Sequence, residues 1–426
     1  MVTQEQKPLT LRRNFSWTFI GNLVYAGCQW GMLVVLAKLG SPEMVGQFTL
    51  GLAVTAPVIM FTNLQLRVVQ ATDANKDYSF SDYLGLRLIG TGLGIFAIAI
   101  IALFSGYRRE TCIVILLIGL AKAFESISDI FFSLLQQHER MDRIAISLMI
   151  KGPLSLLMLG AGVYLSHSVL WGTGGLVVAW AIVLITYDIR NGLVMLKNRS
   201  RILPRWHLKT LKKLIWLCLP LGFVMMLISL NANIPRYFIE RYLGEYELGI
   251  FAAIAYLMVV GNMVILALGE SASPRLAKYY SAGNAIAFRN LLLKLVAIAV
   301  VIAGGGILFA AVGGRQILTL IYRPEYSEHS DLFIWLMVAA GIGYIGSFLG
   351  YGMTASRYFR VQMPIFITVA AISAVACFWL LPKYGLFGGA IALNISATVQ
   401  TCISLGVILH GLRKINKYSG TKPEIV

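Results

Sequence analysis

The sequence predicts an all-α polytopic membrane protein with about twelve transmembrane helices in two six-helix lobes. Three observations predict it. The chain of 426 residues is 58% hydrophobic and only 13% charged, with a mean hydropathy of +0.75, where soluble globular chains carry roughly 25% charged residues. Apolar stretches long enough to cross a bilayer, ~20 residues each, recur from end to end. The second half also repeats features of the first.

The polar start, MVTQEQKPLTLRRNF, leads into an apolar stretch at 15–37, which predicts a spanning helix and no cleavable signal peptide. Further spans are expected at 46–67, 84–105, 111–136, 144–165 and 169–189. The longest polar connection follows, RNGLVMLKNRSRILPRWHLKTLKK at 190–213. It reads as a basic linker between an N-terminal lobe, 1–189, and a C-terminal lobe, 214–426, that ends in a tail. The second set is expected at 212–235, 248–270, 290–312, 331–353, 361–381 and 385–410. Twelve such helices use roughly 250 residues and leave loops too short for a soluble domain.

The net charge of +17 reports orientation rather than a nucleic-acid partner, because basic residues beside spans collect on the cytoplasmic side. Of the 36 Lys and Arg, 27 fall on the side of the N-terminus, Arg67, Arg87, Arg140 and Lys151 among them. Eight fall on the other side, and Lys122 alone is left within a span. Both termini are therefore expected in the cytoplasm. The five cysteines sit in apolar runs without a CxxC pair, so no disulfide or metal framework follows. With no HExxH and no Walker A motif, the chain does not read as an enzyme or an ATPase.

The halves align as parallel repeats. LGSPEMVGQFTLGLAV at 39–54 matches LGEYELGIFAAIAYL at 243–257, and LWGTGGLVVAW at 170–180 matches LFGGAIALN at 386–394. Repeats of this kind place a binding site near the midplane between lobes that can rock. Pro57, Pro220, Pro235 and Pro364 lie in or beside spans, where proline frees backbone carbonyls and permits bends.

The sharpest polar signal is on the fourth span. Lys122, Glu125, Asp129, Ser133, Gln136 and Arg140 are spaced 3, 4, 4, 3 and 4 apart, which puts them within roughly 80° on a helix. A charge near mid-bilayer costs at least ~2.5–3.5 kcal/mol on insertion scales, so this face must meet water or other helices. A milder stripe on the first span holds Thr18, Asn22, Tyr25 and Gln29, and the repeat sets Gln29 against Asn233, beside Asn231. In the second span Asn63, Arg67 and Gln70 share a face, with Arg67 at the expected cytoplasmic boundary.

Several of these segments together resemble the polysaccharide-biosynthesis (Wzx-type) flippases of the MOP exporter superfamily, relatives of the MATE antiporters and lipid II flippases. The resemblance rests on LRRNFSWTFIGN, LQLRVVQATD, KAFESISDIFFSLLQQHERMDRIAISL, SLNANIPRYFIERYLGEYELGIFAA and GRQILTLIYRPEYSEHSDLF, and it covers essentially the whole chain. It implies a MATE/MOP-like pair of lobes in the cytoplasmic membrane of a bacterium or archaeon. It also implies translocation of a polyprenyl-pyrophosphate-linked oligosaccharide to the outer leaflet by alternating access, for O-antigen, capsule or exopolysaccharide synthesis. The bilayer and a polysaccharide polymerase are the other partners to expect, with no nucleic acid and no cofactor. The alternative within the superfamily is a multidrug/cation antiporter.

Under that resemblance Lys122 and Arg67 offer cations to a pyrophosphate, while Glu125 and Asp129 suit coupling to H⁺ or Na⁺. The amides Asn22, Gln29, Asn231 and Asn233 suit sugar hydroxyls. The competing reading is structural: Lys122 and Glu125 pair with each other, and the amides bond between helices at ~0.6–2 kcal/mol each. The repeat offset sets Arg67 opposite Glu270, which suggests a cytoplasmic gate. The double variant Arg67→Glu, Glu270→Arg is then expected to restore part of the export that each single change loses. Full export by both single variants would return Arg67 to the role of a boundary anchor.

Overall fold

The computed structural model describes residues 10–73, 77–196 and 203–419. Among them every regular element is helical, as a lipid environment demands of backbone groups that have no water to bond. Among the described residues eleven helices are long and apolar enough to cross a bilayer, and a bent pair of helices makes a twelfth when counted as one span. The expected spans are thus recovered in order. Within the linker expected over 190–213, residues 197–202 lie outside the described residues, Ile189–Met195 is helical, and a new helix starts at Leu208.

The chain forms two compact units, Met1–Leu230 and Asn231–Val426. The first contains α1 (Leu11–Leu39), α2 (Pro42–Asn63), α3 (Leu66–Thr72), α4 (Phe80–Phe104) and α5 (Arg109–Gln137). It continues with α6 (Met141–Ser166), α7 (Val169–Val183), a π-turn at Leu184–Asp188, and α8 (Ile189–Met195). Helix α9 (Leu208–Leu243) runs across the division at residues 230–231.

Local chemistry sets the starts of these helices. Ser41 accepts a hydrogen bond from the Met44 amide and Pro42 takes the first turn of α2, both favourable at a helix N-terminus. Ser79 and Asp82 form a reciprocal capping box on α4. The break after α2 carries no glycine or proline. Leu64 and Gln65 both take left-handed backbone, φ 51° and 53°, a conformation that side chains with a Cβ disfavour. Pro57, seven residues earlier, stays inside the helix.

Small residues let the helices approach. A Cβ on Gly21 of α1 would lie 2.7 Å from the Ala145 Cα of α6, and one on Gly175 of α7 would lie 2.5 Å from the Met158 carbonyl oxygen. The apolar core at the α3 end joins Leu66, Tyr83, Ile130, Leu134 and Leu214. The outer surface is apolar too, with Phe104 and Leu165 exposed, as expected of faces turned to lipid.

The second unit contains α10 (Glu245–Tyr256), α11 (Met258–Ser281), α12 (Ala285–Ile321), α13 (Pro324–Ser327), α14 (Ser330–Ala355), α15 (Phe359–Tyr384) and α16 (Leu386–Ser419). Its core joins Leu276, Phe288, Ala299, Tyr344 and Phe348. Helices α10 and α11 form the bent pair, at 41° about Leu257. The Tyr344 hydroxyl donates to the Met258 carbonyl at 2.9 Å. Gly261 makes room for that ring, since a Cβ there would lie 2.2 Å from the hydroxyl oxygen.

Candidate functional site

The polar face of α5 is the centre of a charged interior in the first unit. Lys122 Nζ and Glu125 Oε2 are 2.7 Å apart, one turn along the helix. The Tyr25 hydroxyl of α1 donates to Glu125 Oε1 at 2.8 Å. One turn further, Asp129 is shared by two arginines. Arg67 Nη1 of α3 reaches Oδ1 and Arg87 Nη2 of α4 reaches Oδ2, each at 3.1 Å. Arg67 also donates from Nε to Gln136 Oε1 at 3.2 Å, and Arg87 donates from Nη1 to Asn63 Oδ1. Thus Arg67 is no free boundary anchor. The two guanidiniums differ in access, with side-chain exposures of 33% for Arg67 and 0% for Arg87.

A second ion pair lies deeper. Lys151 of α6 and Asp188, the last residue of the π-turn, are 1% and 0% exposed and 3.7 Å apart. Lys151 donates to Ser128 Oγ at 3.3 Å, and the Ser147 hydroxyl donates to Asp188 Oδ1. Asp188 Oδ2 accepts no hydrogen bond among the described residues. π-turns shift the facing of the residues that follow them and recur at functional positions.

Two aromatic rings join these pairs. Lys151 Nζ lies 5.3 Å from the centre of the Phe132 ring, and Arg67 Cζ lies 5.6 Å from the same centre. Lys122 Nζ and Lys151 Nζ lie 5.0 and 5.8 Å from the Trp180 ring centre. The indole is fixed by its N–H donating to Ser155 Oγ at 2.7 Å. Cation–π contacts of this kind are worth about 2 kcal/mol when desolvated. The continuous network therefore holds four cations, Arg67, Arg87, Lys122 and Lys151, against three carboxylates, Glu125, Asp129 and Asp188. It carries one surplus positive charge.

The other sequence candidates are placed separately. Asn22 is exposed and Gln29 half-buried on α1. In the second unit Asn231 Nδ2 donates to the Phe366 carbonyl at 3.0 Å, and buried Asn233 accepts from Arg236 Nη1 at 2.9 Å. Glu270 is an exposed residue of α11. Arg140 leaves the stripe: α5 ends at Gln137, and Arg140 turns to Asp142 at 2.7 Å.

Two residues sorted by side with the cytoplasmic charges, Arg87 and Lys151, are among the most buried side chains of the described residues. Lys151 lies ten residues into α6, about 15 Å along its axis. Depth within the apolar stretch was the available signal, and the expected spans at 84–105 and 144–165 already enclosed both positions.

Three comparisons bear on this arrangement. A family described as polysaccharide biosynthesis protein matches residues 11–280. The capsular polysaccharide biosynthesis protein CapF of Staphylococcus aureus is 30% identical over 391 residues, covering 91% of this chain and 96% of CapF. Among solved structures, the inward-facing conformation of a multidrug resistance MATE family transporter of the MOP superfamily superposes with a TM-score of 0.75 at 13% identity, covering 95% of this chain and 99% of that one. The inward closed conformation of the lipid II flippase MurJ gives 0.71 at 14% identity, covering 93% and 89%. At these identities the structures establish the fold alone.

Proposed function

The chain belongs to the polysaccharide biosynthesis protein family, and from that premise we propose that it is a flippase for a polyprenyl-pyrophosphate-linked oligosaccharide. It works in the cytoplasmic membrane and carries its cargo from the inner to the outer leaflet by alternating access. A polysaccharide polymerase on the far side is the partner that consumes the cargo. The observation that carries this reading is the surplus cation of the network, with the Arg67 guanidinium its accessible edge.

The physical demand is specific. A pyrophosphate is a multiple anion, and an isolated charge leaving water for hydrocarbon pays a large solvation penalty. Arginine offers a planar fork that matches phosphate oxygens, and lysine offers a compact point charge. In a low-dielectric interior such contacts weigh far more than in water. A cationic drug is the poorer match, because each carboxylate of the network already faces a cation.

Energy for directed transport enters this reading as an exchange with H⁺ or Na⁺. Glu125 is the carboxylate suited to it, being partly accessible and held by Lys122 and Tyr25. Deletion of the gene is expected to remove surface polysaccharide. Lys122→Ala is expected to fail to restore it while still reaching the membrane. Drug hypersensitivity with intact polysaccharide would instead establish an antiporter.

A further inference from the structure

The shared carboxylate of Asp129 raises a question that simple pairing does not answer: why two arginines serve one aspartate. Their surroundings differ in kind. Arg87 is fully enclosed, with Nη2 on Asp129 and Nη1 on Asn63. Arg67 is one-third exposed and stands on α3, a seven-residue helix. Polar contacts to α5 hold that helix down. They run from Arg67 to Asp129 and Gln136, from the Ser133 hydroxyl to Gln70 Oε1, and from Gln137 Nε2 to the Gln70 carbonyl. Its apolar anchors are buried Leu66, at its first position, and half-buried Val69 on the same core, while Val68 is exposed. Immediately before it come Leu64 and Gln65, two successive left-handed residues of the sort that gather at clamps and switch segments.

We infer that Asp129 holds Arg67 as a stand-in for the phosphate of the cargo. An arriving phosphoryl anion takes Arg67 from Asp129 and loosens α3 on α5, leaving the ties of Gln70 to Ser133 and Gln137 as its hold, while Arg87 keeps the carboxylate neutralised. This rests on the flippase reading above and adds the recognition step. Charge balance is what makes the exchange feasible. If Arg67 were the sole partner, its departure would strand a carboxylate of limited exposure, which is strongly unfavourable. With Arg87 in place, a neutral pair stays behind and the moving cation leaves with the anion. The two left-handed residues and Leu66 mark the pivot, so α3 swings as a flap about residues 64–66.

The test uses the full-length protein in phosphatidylcholine nanodiscs, with amide hydrogen exchange read over residues 67–72. Inorganic pyrophosphate and farnesyl pyrophosphate serve as probes. Either is expected to speed exchange of that segment roughly tenfold, as for a local opening. Asp129→Asn is expected to exchange at the fast rate without ligand and to bind pyrophosphate more tightly than wild type. Arg67→Gln should bind it more weakly and show no ligand response. Pyrophosphate that binds with no change over 67–72 overturns the exchange and leaves the flippase reading standing. Wild type that binds neither probe overturns both. Phosphatidylglycerol discs that produce the full acceleration alone would assign the anion to bilayer lipid and overturn its assignment to the cargo.

Discussion

Asp188→Ala is expected to cost the first unit about 3–5 kcal/mol, and Lys151→Met a comparable amount, because each strands a buried charge. Both side chains are almost wholly enclosed, and Lys151 has no carboxylate but Asp188 within ion-pair range among the described residues. Ser128 and the faces of Phe132 and Trp180 would be left to hold the ammonium. These neutral groups offset only part of its lost hydration. The double variant Lys151→Met, Asp188→Asn removes both charges, keeps most of the volume, and leaves an amide for Ser147. It is expected to recover most of the lost stability, since a buried pair contributes far less than the cost of breaking it. Unfolding of the purified variants in detergent gives the coupling energy through the double-mutant cycle. Single changes that each cost under about 1 kcal/mol, the range of exposed pairs, would contradict the enclosure described above.

The spans were legible because lipid imposes one simple rule. A helix must present a long apolar run, and runs such as 290–312 or 331–353 leave no competing element. The stripe on α5 was legible for a related reason, since charges at helical spacing in an apolar run have one face to share. Lys122, Glu125 and Asp129 therefore appear together in the structure as in the sequence. Arg87, Lys151 and Asp188 were harder. None forms a periodic stripe with the other charges of its helix, and the partner of each lies on another element, 37 to 42 residues away. Sorting every basic residue to a membrane boundary follows the average cost of burying a charge and gives no hint that Arg87 and Lys151 are enclosed. The break at Leu64–Gln65 carried no local signal either. Neither residue favours left-handed backbone, so tertiary contacts must hold it, chief among them the polar ties of α3.

Arg87→Met is expected to abolish export and to destabilise the first unit by about 1–3 kcal/mol, since Asn63 loses its donor and Asp129 is left with Arg67 alone. Stability alone could explain a loss of export, so a second variant is needed to separate the causes. Adding Asp129→Asn to Arg87→Met removes the carboxylate that Arg87 no longer balances. The amide that replaces it can still accept from Arg67, as a weaker, neutral partner. Unfolding measurements should then show most of the stability restored. Export should remain low, because Arg67 is no longer held by a competing carboxylate and retains the anion it binds. If transport needs no Asp129 carboxylate, the double variant should regain export along with stability, which would overturn the exchange. Surface polysaccharide measured beside the membrane level of each variant decides between them. Recovery of both quantities together would limit Arg87 to a structural tie between α2, α4 and α5. Stability without export would trace the loss to the missing exchange between Asp129 and Arg67 rather than to unfolding.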